Sequence, residues 1–141
     1  VIAGIGTPIR MDDSVGIRIV QGLRGKVSEN ILLVECETVP ENFIQQIADF
    51  RPTHVLLIDA AILDKKPGDS VFTEPKGLVA FPAISTHALP LTIFCDLLAK
   101  NTEAKIALLL IQPEQSGFGE NLTPAIEAAM RKIIDLLADM L

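Results

Sequence analysis

Short apolar segments alternate along this chain with longer segments whose apolar residues recur at helical spacing. The short segments are rich in β-branched residues and end at glycine, proline or polar residues, which is typical of strands. Strands are predicted over residues 1–5, 31–35, 54–61, 70–73 and 106–111, the fourth at a sheet edge, with a loop over 76–85. Helices are predicted over residues 13–27, from Pro40 to before Pro52, after His87 with Pro90 in the first turn, and from Pro124 with Thr123 as N-cap. This alternation predicts an α/β fold, a three-layer α/β/α sandwich with a mostly parallel five-stranded sheet.

The length and charge of the chain limit the class of protein. A chain of 141 residues corresponds to one domain. A net charge of −6 argues against a nucleic-acid partner and favours a soluble protein or a basic peptide partner. No segment stays apolar over the length of a membrane span, so membrane insertion is not expected. We expect a few residues to precede Val1, because the chain begins within a predicted strand.

Two cysteines, Cys36 and Cys95, lie in apolar segments that are far apart in the sequence. Buried cysteines behave as small apolar side chains, and disulfides are rare in the cytoplasm. Reduced, buried thiols in a cytoplasmic protein are therefore expected, and a disulfide is the alternative.

Acidic and imidazole side chains follow the predicted strands at the points where a parallel sheet carries its ligands. Asp12 and Asp13 follow the first strand, Asp59 ends the third, and His87 precedes the third helix. If the first and third strands are neighbours, Asp13, Asp59 and His87 can converge in one cleft. Two carboxylates and an imidazole can bind a divalent transition metal and leave coordination positions open. The two carboxylates could instead share a proton in acid–base hydrolysis.

Several of these residues have a structural alternative. Asp12 can cap the first helix, and Asp13 can be a first-turn acid that complements the helix dipole. His87 can hydrogen-bond to nearby backbone, and His54, at the start of a strand, is expected to be structural. Asp59 is the hardest to explain structurally, because a carboxylate after a buried strand is costly without partners.

Blocks of residues across nearly the whole chain resemble the nickel–iron hydrogenase maturation protease family. Further blocks resemble the branch that matures the large subunit of hydrogenase 3, of the formate hydrogenlyase type. Two positions depart from the family pattern, Thr7 where asparagine is usual and Ser14 where glycine is frequent. The matching blocks are Gly4-Ile5-Gly6, Asp12-Asp13 with Gly16, Pro40-Glu41-Asn42, Ile58-Asp59-Ala60, Ser85-Thr86-His87-Ala88-Leu89-Pro90-Leu91, and Ile111-Gln112-Pro113 with Gly117-Phe118.

The resemblance implies a phosphorylase/hydrolase-like α/β domain and a cytoplasmic endopeptidase. Its members remove a C-terminal extension from the precursor of the hydrogenase large subunit after nickel has been inserted. The family's metal-site positions fall on Asp13, Asp59 and His87, which the resemblance implies engage the nickel of the substrate. Another divalent metal can occupy the same site in the isolated protein. The family is also grouped with aspartic peptidases, which implies that Asp13 and Asp59 position or activate water and that His87 completes the site.

Two other classes of function remain open from the residues alone. Gly4 and Gly6 match part of a dinucleotide-binding pattern, so a nucleotide- or phosphate-binding flavodoxin-like domain is one alternative. The third glycine of that pattern is missing, and carboxylates stand where a phosphate would bind. A non-catalytic nickel chaperone would use the same Asp13, Asp59 and His87 and is the other alternative.

Overall fold

A single sheet organises the computed structural model, which describes residues 1–80 and 91–141. Its strands are β1 (Ile2–Ile5), β2 (Leu33–Glu37), β3 (His54–Ala60), β4 (Ser70–Thr73) and β5 (Lys105–Ile111). Its helices are α1 (Val15–Leu23), α2 (Ile44–Phe50), α3 (Leu91–Asn101) and α4 (Pro124–Met140), and 3₁₀ turns lie at Met11–Ser14, Pro40–Phe43 and Pro75–Ala80. The strand order is β2-β1-β3-β5-β4, with only β4 antiparallel among these strands. The predicted α/β fold with a mostly parallel five-stranded sheet is confirmed.

Both faces of the sheet are covered by helices. On one face α1 packs against α4, and on the other α2 packs against α3. Successive residues of β3 alternate between the two cores: Leu57 lies with Phe94 and Leu98 of α3, whereas Ile58 lies with Ile19 of α1. Because side chains of a strand point to opposite faces in turn, an uninterrupted apolar strand requires two covered faces. The uninterrupted apolar sequence of β3 fits a strand that is buried on both faces.

Several predicted boundaries were wrong for local reasons. The first helix was predicted to reach Val27, but α1 ends at Leu23 because Arg24 leaves the helical region and Gly25 turns with a φ of 75°. The second helix begins as a 3₁₀ turn at Pro40 and becomes α-helical only at Ile44. The loop predicted over 76–85 is a 3₁₀ turn up to residue 80, and its remainder, like Pro90 of the third helix, lies outside the described residues.

The two cysteines are free and buried in the core between the sheet and α2 and α3. Burial raises the pKa of Cys36 to about 12 and that of Cys95 to about 12, the latter with a further contribution from the nearby charge of Asp96. A thiol acts as a nucleophile or a metal ligand only as the thiolate. The predicted buried, reduced state is confirmed, and the disulfide alternative is wrong.

Within the part of the chain that the structure describes, none of the helices has the length and apolar character that crossing a bilayer requires.

Candidate active site

The strand order reverses between β1 and β3. The chain passes from β1 to β2 on one side of β1 and then crosses to β3 on the other side. β1 and β3 are directly paired, with Gly4 opposite Ile58. Loops that diverge at such a reversal leave a crevice at the carboxyl ends of the strands, where α/β proteins bind ligands. The condition set by the sequence, that the first and third strands are neighbours, is therefore met.

Three glycines let the segment after β1 lie directly against the strands. A Cβ on Gly16 would lie 2.3 Å from the Ile58 carbonyl oxygen, and one on Gly4 would lie 2.2 Å from the Gly16 carbonyl oxygen. Gly6 has a φ of +145°, and a Cβ there would lie 2.1 Å from the carbonyl oxygen of Asp13. Only glycine allows backbones to approach this closely. The position that a phosphate would need beside Gly4 and Gly6 is filled by protein backbone, so these glycines serve packing.

This packing brings Asp13 and Asp59 to the same edge of the sheet. Asp13 lies in the Met11–Ser14 turn, which contacts β3, and Asp59 lies near the end of β3. Asp59 is fully buried and Asp13 is 3% exposed. Carboxylates are expensive to bury unless they are compensated, so two at one strand reversal indicate a functional site.

The third predicted ligand, His87, lies outside the described residues. Among residues 1–80 and 91–141, no three His, Cys, Asp or Glu side chains form a group that could hold a metal ion. The described residues thus supply two of the three side chains that the sequence assigns to the site.

Asp12 joins two loops and caps no helix. Its Oδ2 accepts hydrogen bonds from the backbone N–H groups of Glu114 (2.9 Å) and Gln115 (2.8 Å) and from the hydroxyl of Thr123 (2.8 Å). Its Oδ1 accepts from the backbone N–H of Thr123 at 2.8 Å. The prediction that Asp12 caps the first helix was wrong, because its carboxylate crosses to the segment after β5. Thr123 does precede α4 as its N-cap residue, but its side chain makes no cap hydrogen bond.

The backbone joins the same two loops. The Met11 N–H donates to the Gly119 carbonyl and the Gly119 N–H donates to the Ile9 carbonyl, each at 2.9 Å. The Asp12 N–H donates to the Gln115 carbonyl at 3.0 Å. The loop after β5 is thereby fixed beside the turn that carries Asp13.

Ser14 and Arg18 add side-chain hydrogen bonds to this junction. The Ser14 hydroxyl donates to the Met11 carbonyl at 2.6 Å and accepts from Arg18 Nε at 3.0 Å. Arg18 Nη2 also donates to the Glu120 carbonyl. Glycine, frequent at the Ser14 position in the family that the chain resembles, could make neither side-chain bond.

Gln112 joins the end of β5 to the loop after β3, a role that the sequence did not reveal. It is buried at the end of β5, and its Oε1 accepts from the Leu63 N–H at 2.6 Å, in the loop after β3. In the same connection, the Gly68 N–H donates to the Gln112 carbonyl and the Gln112 N–H donates to the Asp69 carbonyl, each at 2.9 Å. The available signal was a polar side chain placed directly after a buried apolar strand. His54, by contrast, lies at the amino end of β3, exposed and far along the strand from Asp59.

Replacing Asp12 by alanine should destabilise the protein strongly. Asp12→Ala leaves the buried Thr123 N–H and the N–H groups of Glu114 and Gln115 without their acceptor. Unsatisfied buried donors cost about 1–3 kcal/mol each, so we expect a loss of about 3 kcal/mol in the free energy of unfolding. Urea denaturation measures it, with Asp135→Ala on the exposed face of α4 as the control. An equal midpoint for the two variants would contradict this role of Asp12.

Comparisons with known proteins show which family and fold this chain resembles. A family model described as hydrogenase maturation protease matches residues 17–140. The chain is 32% identical to a putative hydrogenase maturation protease of Methanocaldococcus jannaschii, over all of this chain and 87% of that protein. It is 27% identical to the hydrogenase 3 maturation protease of Escherichia coli K12, over 97% of this chain and 87% of that protein. The crystal structure of the [NiFe] hydrogenase maturation protease HycI from Thermococcus kodakarensis superposes with a TM-score of 0.90 at 29% identity, covering 99% of this chain and 90% of that one.

Proposed function

The chain belongs to the hydrogenase maturation protease family, and on that premise we propose that it removes the C-terminal extension of the nickel-loaded precursor of a [NiFe]-hydrogenase large subunit. The observation that carries this proposal is the pair of buried carboxylates, Asp13 and Asp59, at the reversal between β1 and β3. The relatives that are named as hydrogenase 3 maturation proteases favour a large subunit of the hydrogenase 3 type as the substrate. We assign the reaction to the cytoplasm, as the sequence resemblance implies.

The proposed roles follow from the chemistry of the side chains. Asp13 and Asp59 engage the nickel that the precursor already holds, and His87 completes the set, so nickel here is part of the substrate. Carboxylate and imidazole groups are suitable donors for such an ion. Binding through the nickel presents the adjoining peptide bond to the same cleft.

The carboxylates also supply the hydrolytic chemistry in this proposal. A carboxylate can position water and accept its proton, and a pair of carboxyl groups does so when one is neutral and the other ionised. An aspartic-type reaction therefore requires both Asp13 and Asp59, whereas recognition of nickel requires that both are ionised. The two protonation states cannot hold at the same moment, so in this proposal both carboxylates are ionised while they engage nickel, and the hydrolytic step requires one of them to take up a proton from solvent.

A cleavage assay tests the function. Purified nickel-loaded precursor is incubated with the wild-type protein, and its intact mass is measured over time. We expect a single shortening at the C-terminal side of the metal-binding region. A precursor of unchanged length would contradict the protease and favour the nickel chaperone, which binds without cutting.

A further inference from the structure

A surface that exposes large apolar side chains adjoins the candidate site. Ile9 and Phe118 are 54% and 78% exposed, in the loops that follow β1 and β5. The guanidinium carbon of Arg10 lies 4.8 Å from the centroid of the Phe118 ring. We call Ile9, Arg10 and Phe118 the ledge. Val39 and Ile62, after β2 and β3, are also exposed, so each of the four parallel strands leads into a loop with an exposed apolar side chain at the edge that carries Asp59.

The ledge is held in place on both sides. Arg10 and Gly119 form a parallel β-bridge. The backbone hydrogen bonds from the Met11 N–H to Gly119 and from the Gly119 N–H to Ile9 join the loop after β1 to the loop after β5. The four bonds to the Asp12 carboxylate fix the loop after β5 on either side of Phe118. An aromatic side chain that is exposed on a braced loop is presented at low conformational cost, as binding surfaces require.

The chemistry of the ledge fits a polypeptide. The Phe118 ring offers apolar area, and Arg10, stacked on it, carries N–H donors that suit peptide carbonyl oxygens. The ledge also leads directly into the site, since Arg10 is followed by the Met11–Ser14 turn that carries Asp13. The Asp13 N–H donates to the Arg10 carbonyl at 3.0 Å, so a chain bound on the ledge lies beside the turn that carries Asp13.

Charge distinguishes a partner chain from a second copy of this protein. The chain has a net charge of −6. Glu114 and Glu120 are exposed in the loop that carries Phe118, and Glu37 is exposed at the end of β2. Two copies that met through this surface would bring these carboxylates together, which opposes association. A neutral or basic extended segment meets no such repulsion.

We propose that the ledge binds the extended segment of the precursor that adjoins the scissile bond, with an apolar side chain of that segment against Phe118. This inference rests on the proposed function and adds to it the surface that recognises the polypeptide part of the substrate. Phe118 is then a specificity-determining residue that acts on binding and leaves the chemical step unchanged.

The test uses a matched pair of phenylalanines. Phe72 is 70% exposed, similar to Phe118, but lies on the edge strand β4, which β5 separates from the strand that carries Asp59. We compare Phe118→Ala with Phe72→Ala, measuring KM and kcat for cleavage of the nickel-loaded precursor. The dissociation constant is measured by calorimetry with a nickel-loaded precursor that carries an uncleavable bond at the scissile position, so that Asp13 and Asp59 stay intact.

Phe118→Ala should raise both KM and the dissociation constant about tenfold, with kcat within about twofold of the wild type. Phe72→Ala should change none of these, and Phe118→Tyr, which keeps the ring, should restore binding. If Phe118→Ala and Phe72→Ala bind the precursor with equal affinity, the ledge is not the binding surface. Cleavage by the wild type would still support the proposed function in that case. If the wild-type protein does not shorten the precursor, both the proposed function and the proposed role of the ledge are contradicted. Analytical ultracentrifugation tests the other occupant. If the wild-type protein forms a dimer that the Phe118→Ala change dissociates, the ledge binds a second copy of this chain and not the precursor.

Discussion

Asp59→Asn should fold normally and lose cleavage of the precursor by about a thousandfold or more. Asp59 is fully buried at the end of β3, and asparagine has the same shape but can neither accept a proton from water nor bring a negative charge to nickel. The measurement is the initial rate of precursor shortening, with circular dichroism and thermal unfolding to verify the fold. Asp13→Asn should show a loss of similar size.

The control is the same substitution at a neighbouring position. Asp64 is an exposed residue in the connection after β3, and its φ of 57° is a conformation that asparagine also adopts readily. The Asp64→Asn variant should cleave the precursor at the wild-type rate. An Asp59→Asn protein that cleaved within tenfold of the wild type would exclude this carboxylate from the chemistry.

Gly16→Ala should destabilise the protein by about 3 kcal/mol or more, although alanine is the better helix former. The added Cβ would lie 2.3 Å from the Ile58 carbonyl oxygen and 2.6 Å from the Ile5 carbonyl oxygen, both in the backbone of central strands that cannot move aside. Relief requires α1 to move away from the sheet, and the Met11–Ser14 turn would move with it. Activity should therefore fall together with the free energy of unfolding, which urea denaturation measures.

Two other glycines provide the controls. A Cβ on Gly22, in the same helix, would meet the far end of the Ile134 side chain, which can rotate, so Gly22→Ala should cost much less. A Cβ on Gly117 would meet nothing within 4 Å, so Gly117→Ala should be close to neutral. Equal losses at Gly16 and Gly22 would show that close contact with the strands is not what requires glycine.

The sequence was sufficient for the parts of the fold that periodicity determines. The apolar run ending at Asp59 is typical of a strand that is covered on both faces, as β3 is. Helical spacing alone puts Leu91, Phe94, Cys95 and Leu98 on one face, and these are the buried residues of α3. The strand order could not be obtained this way, because pairing between strands leaves no periodic signal. The condition for Asp13 and Asp59 to lie at the same end of neighbouring strands therefore stayed open until β1 and β3 were seen to be paired.

Asp12 shows where local pattern misleads. An acid before an amphipathic helix is typical of a cap, and nothing nearby in sequence contradicts that interpretation. Its donors are more than a hundred residues away, at Glu114, Gln115 and Thr123, and only the tertiary fold brings them within reach. The shift of β2 to Leu33–Glu37 has a similar origin, because its register follows pairing with β1, which is irregular between Gly4 and Ile5.

The most direct measurement is the intact mass of the large-subunit precursor, prepared with and without nickel, after incubation with the wild-type protein. If Asp13, Asp59 and His87 engage nickel that the precursor holds, only the nickel-loaded form should lose its C-terminal extension. Shortening of both forms at the same rate would contradict recognition through nickel, and shortening of neither would contradict the protease.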